Sequence, residues 1–121
     1  MEWKLTDNRP IWMQLSEQLT RRIVAGQYPP GAKLPAVREL AADAGVNPNT
    51  MQRALAQLEN DGLAVSNRTA GRMVTEDAAV IEAVRRELAR KITKEFLSAI
   101  ADLGYTREDV LALLKEEEEH G

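Results

Sequence analysis

Apolar residues recur every three or four positions over most of the chain, which is the spacing of amphipathic helices. The first such stretch lies behind Pro10, and Asn8 is predicted as its N-cap because proline is tolerated in a first turn. Gly26 and the prolines after it predict the end of this helix. Its apolar face consists of Ile11, Trp12, Leu15, Leu19, Ile23 and Val24.

Two further helices are predicted with only a short turn between them. One follows Pro35 and ends at Gly45, and the next begins near Asn47, where Asn and Thr residues suit an N-cap. The third helix ends at Asp61 and Gly62. A short turn containing glycine between two helices is typical of a helix-turn-helix, whose second helix enters the major groove of DNA.

The periodicity changes after the third helix. Residues 63–66 and 72–75 are rich in β-forming residues and predict two strands joined by a turn at 67–71. From Asp77 the helical period returns, over about 25 residues, and Gly104 closes this helix. A last short helix is predicted after Thr106, which an acid follows three residues later as in a capping box, and before the acidic tail.

Composition removes several classes of function. The chain has no cysteine, one histidine near its end, and no glycine-rich phosphate loop, so we predict neither an enzyme nor a cofactor. No apolar run has the length of a membrane span, and no signal peptide is visible, which predicts a soluble, cytoplasmic protein. The run Glu116 to Glu119 with His120 is interpreted as a solvated end rather than a metal site.

The net charge of −3 is unevenly distributed along the 121 residues. Residues 1–75 carry nine Lys and Arg against seven Asp and Glu, a net charge of +2. Residues 76–121 carry seven against twelve, a net charge of −5, so the acidity is a C-terminal property. The first part of the chain is therefore free to meet phosphate.

A specific motif runs through the helix-turn-helix. It consists of Pro29, Gly31, Leu34, Pro35, Arg38, Leu40 and Ala41, then residues 45–50, then Ala54, Leu58, Asp61, Gly62 and Leu63. These residues resemble the DNA-binding domain of the GntR family of bacterial regulators, and the short extension after them resembles the YtrA-like subfamily. The resemblance implies a mainly α (α+β) winged helix-turn-helix at residues 1–75 and a two-helix dimerisation region at 76–121.

The same resemblance implies the function. Such a protein binds a palindromic operator as a homodimer, usually as a repressor, and often controls its own operon and ABC transporter genes. Larger relatives carry a ligand-binding domain after the DNA-binding part. The C-terminal part of this chain is too small to enclose a metabolite, so any effector, which the sequence does not identify, is expected between subunits.

Arg38 is the first predicted DNA contact, because a guanidinium can clamp phosphate or read guanine, and the matching residue of relatives touches DNA. The alternative is a surface ion pair with Glu39 or Asp43. Further contacts are predicted along the third helix and in the hairpin. They are Asn47, Pro48, Asn49, Thr50, Gln52 and Arg53 in the helix and Arg68, Thr69, Gly71 and Arg72 in the hairpin.

Several of these predictions have alternatives. Asn and Thr at a helix start can serve as caps rather than DNA contacts. For Pro48, the alternative to a DNA contact is a purely structural role, in which it stiffens the turn. Many relatives carry basic residues where this chain has Pro48 and Gln52, so the operator is expected to differ, with Gln52 reading adenine. Arg53 is equally consistent with a solvated or salt-bridged residue, and Arg68 and Arg72 with exposed turn charges.

The long helix carries an apolar stripe that predicts a dimer interface. Its members step by four residues: Val84, Leu88, Ile92, Phe96 and Ile100. Part of the stripe is expected to pack on the first helix instead. The overall acidity also leaves open a winged helix that binds a protein partner rather than DNA.

Overall fold

Residues 2–120, which the computed structural model describes, form five helices and one antiparallel hairpin. This mainly helical winged helix-turn-helix, followed by a long and a shorter helix, confirms the predicted fold class. The elements are α1 (Ile11–Val24), α2 (Val37–Ala44), α3 (Pro48–Asn60), β1 (Ala64–Asn67), β2 (Gly71–Val74), α4 (Ala78–Ala101) and α5 (Arg107–His120).

Contacts within the chain group residues 1–85 into one compact unit and residues 86–121 into another. The boundary between them lies inside α4. The division predicted from the sequence, after residue 75, concerned function, and it stays a prediction.

The core of the first unit lies between α1, α2 and α3. Leu15, Leu19 and Ile23 occupy one face of α1 because they step by four residues, and all three are fully buried. The helix-turn-helix contributes the other half of this core, and the hairpin closes one side of it. The buried residues of this core from α2 onward are Leu40, Ala41, Met51, Ala54, Leu55, Leu58, Leu63 and Val74.

The hairpin is anchored on both edges of β2. Ala64 pairs with Val74 at one end and Asn67 with Gly71 at the other, so both strands lie one residue nearer the loop than predicted. The segment before α2 pairs with the free edge of β2 through a bridge between Lys33 and Met73. β2 is therefore paired on both edges, by β1 on one side and by this bridge on the other.

The segment before α1 corrects one prediction. Asn8 is not the N-cap of α1: Pro10 occupies that position without a side-chain cap, and Asn8 Oδ1 instead accepts a hydrogen bond from the Thr6 hydroxyl. Two α1 amides hold this segment by pairing with its backbone. Gln18 bonds the N–H and C=O of Lys4 at 3.0 and 2.7 Å, and Gln14 does the same for Thr6.

Local signals at the C-terminal helices are confirmed in part. The Thr106 hydroxyl accepts from the Asp109 N–H at 3.2 Å and Asp109 accepts from the Thr106 N–H at 2.8 Å, a reciprocal capping box. The predicted short last helix is confirmed, but it ends later than predicted, because α5 continues through the four glutamates to His120. Glutamate is a good helix former, and its propensity carries the helix onward.

Candidate nucleic-acid interface

The turn between α2 and α3 has the geometry of a helix-turn-helix. α2 ends at Gly45, whose φ of +70° is a left-handed conformation that other residues adopt only with strain. The Val46 N–H closes the turn by donating to the Ala41 carbonyl at 3.0 Å. Only three residues separate α2 from α3, as predicted.

The start of α3 is held by an internal cap. Asn47 Oδ1 accepts from the Asn49 N–H at 2.7 Å, and Pro48 takes the first helical position. The side-chain oxygen of Asn47 is therefore occupied, which favours the capping alternative for this residue. Asn47 and Asn49 are exposed and Thr50 is half-buried. Since the oxygen of Asn47 is used in the cap, Asn49 is the exposed amide of this turn whose two ends are both available.

One face of α3 is exposed along its length. Met51, Ala54, Leu55 and Leu58 point into the core, and the opposite face carries Asn49, Gln52, Arg53 and Ala56. A helix held by its apolar face and open on the other is suited to enter a groove of DNA.

Arg53 is positioned by an aromatic ring rather than by an acid. Its Cζ lies 4.2 Å from the centre of the Trp12 ring, a cation–π contact between α3 and the start of α1. No ion pair holds Arg53 within residues 2–120, so the salt-bridged alternative is not what the structure has. Stacking keeps the positive charge and leaves the N–H groups at the edge of the guanidinium able to donate.

Arg38 is an unpaired cation in the first turn of α2. It is exposed and forms no hydrogen bond or ion pair with any residue of the described chain. Asp43, one of its predicted alternative partners, accepts instead from Trp3 Nε1 at 2.8 Å. The alternative in which Arg38 is neutralised by a neighbour is therefore absent here.

The hairpin loop is organised by Asn67. Its Oδ1 accepts from the N–H groups of Thr69 and Ala70, at 2.9 and 3.2 Å, and from the Thr69 hydroxyl. Gly71 closes the loop with a φ of +86°, which explains the glycine at this position. Arg68 projects from the loop, exposed and without a partner among residues 2–120.

Arg72 was predicted to contact DNA, but in the structure it binds side chains of its own chain. Its Nε donates to Glu59 Oε1 of α3 at 2.9 Å, and the two side chains are only 15% and 30% exposed. Its Nη1 also donates to Gln52 Oε1 at 3.3 Å, and the Ser66 hydroxyl donates to the same Glu59 oxygen. We call this set, Ser66, Glu59, Arg72 and Gln52, the wing clasp, because it ties the hairpin to α3.

The sequence did not single out Glu59 or Ser66. Ser66 lies directly opposite Arg72 in the hairpin, as the predicted strands also place it, but Glu59 belongs to a different element. Glu59 lies on α3 two turns beyond Gln52, on the same side of the helix. That spacing was a visible signal, but it acquires a meaning only when the hairpin is packed against α3.

The hydrogen bond from the Ser66 hydroxyl lowers the pKa of Glu59, and Arg72 adds to the effect, against an opposing contribution from partial burial. A carboxylate whose pKa is lower in the folded protein stabilises the fold above its unfolded pKa. That stabilisation disappears as the pH falls through the folded value.

We therefore expect acid to weaken wild type more than Glu59→Gln. Urea unfolding should show a larger fall in the free energy of unfolding for wild type between about pH 7 and pH 3, a range that spans ordinary glutamate titration. Glu39→Gln, at an exposed carboxylate outside the clasp, is the control and should keep the wild-type pH dependence. The same pH dependence in Glu59→Gln as in wild type would contradict the clasp.

An open groove of about 450 Å³ separates the hairpin from the first turn of α2. Lys33, Gln52, Asn67 and Arg72 are among its lining residues. Lys33 is exposed and was not singled out by the sequence, since a lone lysine before a proline carries no pattern. Like Arg38 on α2 and Arg68 in the hairpin loop, it is an exposed basic residue of the first unit.

Comparison with known families identifies the class of protein that carries this surface. The sequence model described as bacterial regulatory proteins, gntR family, matches residues 13–74, which include α1 from its third residue onward, α2, α3 and the hairpin. The chain belongs to the GntR family. It is therefore a DNA-binding transcription regulator and not an enzyme, as the sequence predicted.

Similarity to small members of the GntR family extends over nearly the whole chain. The transcriptional regulator YhcF of Bacillus subtilis is 33% identical over 95% of both chains. The transcriptional repressor YtrA of the same organism is 39% identical over 57% of this chain and 53% of its own length. These matches confirm the predicted place among YtrA-like regulators.

Solved structures of the family agree. A GntR family regulator from Listeria monocytogenes has a TM-score of 0.85 and 38% identity, over 93% of this chain and 98% of that one. The DNA-binding domain of AraR, solved in complex with operator ORX1, has a TM-score of 0.54 and 28% identity, over 62% of this chain and 92% of that one. Within residues 2–120, the helices of this GntR-family chain are not long and apolar enough to cross a membrane.

The predicted dimerisation stripe of this family member is largely uncovered. Ile92 and Phe96 are 48% and 42% exposed, while Val84, Leu88 and Ile100 are half-buried. Within the second unit, Ile92 and Phe96 line an apolar groove of about 660 Å³ between α4 and α5. The partition predicted for the stripe, between a dimer interface and internal packing, stays a prediction.

Proposed function

We propose that this chain is a sequence-specific regulator that binds a palindromic operator as a homodimer. The observation that carries the proposal is the exposed face of α3, which presents amides and a stacked guanidinium beside the unpaired Arg38. The residues proposed to touch DNA directly are Arg38, Asn49, Gln52, Arg53 and Arg68. Asn47, Pro48, Thr50, Thr69, Gly71 and Arg72 are proposed to shape the contact surface.

The chemistry of this face suits the major groove. Base pairs present distinct patterns of donors and acceptors there, which amide side chains can read, while arginine side chains bind phosphate or guanine. Backbone N–H groups at the start of α3 add an attraction for phosphate. Arg38 and Arg68 lie on different elements, so they would hold the DNA backbone at two separate points.

The homodimer is supported by the composition of the second unit. Among residues 2–120, six of the eight large apolar side chains that are exposed belong to residues 92–114, whereas Val110 is the only buried residue described in this unit. Two helices with so little buried apolar surface do not supply a core of their own. A second copy of the chain presents the same stripe. The exposed apolar surfaces of the two copies would cover each other in a twofold interface.

A twofold dimer explains why the operator should be palindromic. Two copies of α3 would then meet two half-sites separated by about one helical turn of DNA or a multiple of it. Repression is proposed because YtrA carries that role in its name, and the resemblance adds control of its own operon and of ABC transporter genes. A DNA partner supports the proposal of a cytoplasmic location. An effector bound between subunits stays a prediction.

The proposal is tested by titrating the protein against DNA from upstream of its own gene at increasing salt. Binding should weaken steeply between about 50 and 200 mM salt, because phosphate contacts release counterions. Absence of DNA binding even at low salt would favour the other function considered for this fold, binding of a basic protein partner by the acidic second unit.

A further inference from the structure

Gln52 is the amide in the middle of the exposed face of α3, and the wing clasp determines which of its two ends is free. Arg72 Nη1 lies 3.3 Å from the Gln52 side chain. A guanidinium can only donate, so the Gln52 atom that faces it must be the carbonyl oxygen. The amide nitrogen is then the end without a partner among residues 2–120.

Arg72 cannot easily turn away from Gln52. Its Nε is bound to Glu59 at 2.9 Å, in a pair whose side chains are mostly shielded from solvent. The Ser66 hydroxyl donates to the same Glu59 oxygen, and Ser66 and Arg72 are cross-strand neighbours. The guanidinium is thus fixed by a carboxylate on one side and engages the amide oxygen on the other.

We propose that Gln52 reads DNA as a hydrogen-bond donor and that Arg72 is the positioning residue that makes it one. The inference rests on the proposed function, because it assumes that α3 lies in the major groove. Guanine presents two neighbouring acceptors there, N7 and O6, whereas adenine presents an acceptor and a donor. Reading adenine with both ends of the amide would require the oxygen to accept from the base as well as from Arg72. Reading guanine uses only the free amide nitrogen, so the expected preference is guanine.

This assignment replaces the sequence-based expectation that Gln52 reads adenine. It also gives Arg72 a role other than the phosphate contact predicted for it. The wing then influences sequence preference through a side chain of α3, without touching a base itself.

The test uses the tightest site that wild type selects from a random DNA library, with every base pair of one half-site substituted in turn. Gln52→Ala identifies the position read by residue 52, as the one where discrimination between bases is lost. At that position wild type should prefer guanine over adenine by about tenfold, the order expected of one good base contact.

Arg72→Met frees the amide oxygen and should shift the preference at that position toward adenine. Arg68→Met is the matched control, because it removes the same charge from the same hairpin without touching Gln52. It should weaken binding to all sequences by a similar factor and leave the guanine preference intact.

Three results would overturn the inference: a wild-type preference for adenine at this position, an Arg72→Met profile identical to that of Arg68→Met, or no position that responds to Gln52→Ala. The first and third need no Arg72 variant, so they hold even if Arg72→Met fails to fold. Selection of no sequence at all by wild type would instead contradict the proposed function.

Discussion

Phe96→Asp is expected to convert the proposed homodimer into a monomer and to lower operator affinity by a hundredfold or more. The new carboxylate would lie in the middle of an apolar interface, where an unpaired charge is costly to bury. Each monomer would then hold one half-site alone and lose the gain from linking two binding events, which is roughly 10²- to 10⁴-fold. Sedimentation and operator titration of the same preparation measure both effects.

The monomer itself should tolerate this change. Phe96 is 42% exposed, and the aspartate would be solvated in an isolated chain. Ser98→Asp is the control, because Ser98 is exposed, lies two residues further along α4 and is outside the stripe. A folded Phe96→Asp protein that stays dimeric would show that the two copies meet elsewhere.

Arg38→Ala is expected to lower affinity for the operator by about 1–3 kcal/mol per half-site, with a smaller loss on random DNA. No partner within the described chain competes for the guanidinium, so all of its donors are available to phosphate or to guanine. The fold should be unaffected because the side chain is exposed and supports no internal contact. Fluorescence anisotropy with both duplexes measures the two losses.

Arg21→Ala is the matched control for this variant. Arg21 is an exposed arginine in the last turn of α1, about 13 Å along that helix from Trp12. The Arg21→Ala substitution removes the same charge from the first unit, at a position outside the proposed contact surface. Equal losses in the two variants would mean that Arg38 contributes only general charge.

The parts of the fold that follow from local chemistry were predictable from the sequence. Gly45 and Gly62 mark helix ends through their backbone preferences and Asn47 through its capping side chain, and the structure places them at those ends. The capping box at Thr106 and Asp109 is equally local. Such signals depend on residues within one turn of each other, so no tertiary information is needed.

The wing clasp was not predictable in the same way. It requires the packing of the hairpin on α3, which brings Glu59 within reach of Arg72 and Ser66. The attachment of the segment before α1 to that helix was not predictable from the sequence either. Gln14 and Gln18 bind backbone atoms there, a contact that leaves no periodic pattern in the sequence.

The candidate site shows the same division. Residue types and spacing were sufficient to place Arg38, Asn49 and Gln52 on one helix-turn-helix. They did not show that Arg38 is unpaired, that Arg53 stacks on Trp12, or that Arg72 is engaged by α3. Those distinctions depend on which neighbours the folded chain supplies.

The claim that this GntR-family chain is a sequence-specific operator-binding protein is tested most directly by one comparison. Wild type is titrated at physiological salt with DNA from upstream of its own gene and with a shuffled duplex of the same length and composition. We expect the upstream DNA to bind at least about 10³-fold more tightly, the lower end of specific regulators. Equal affinity for the two duplexes would contradict the account.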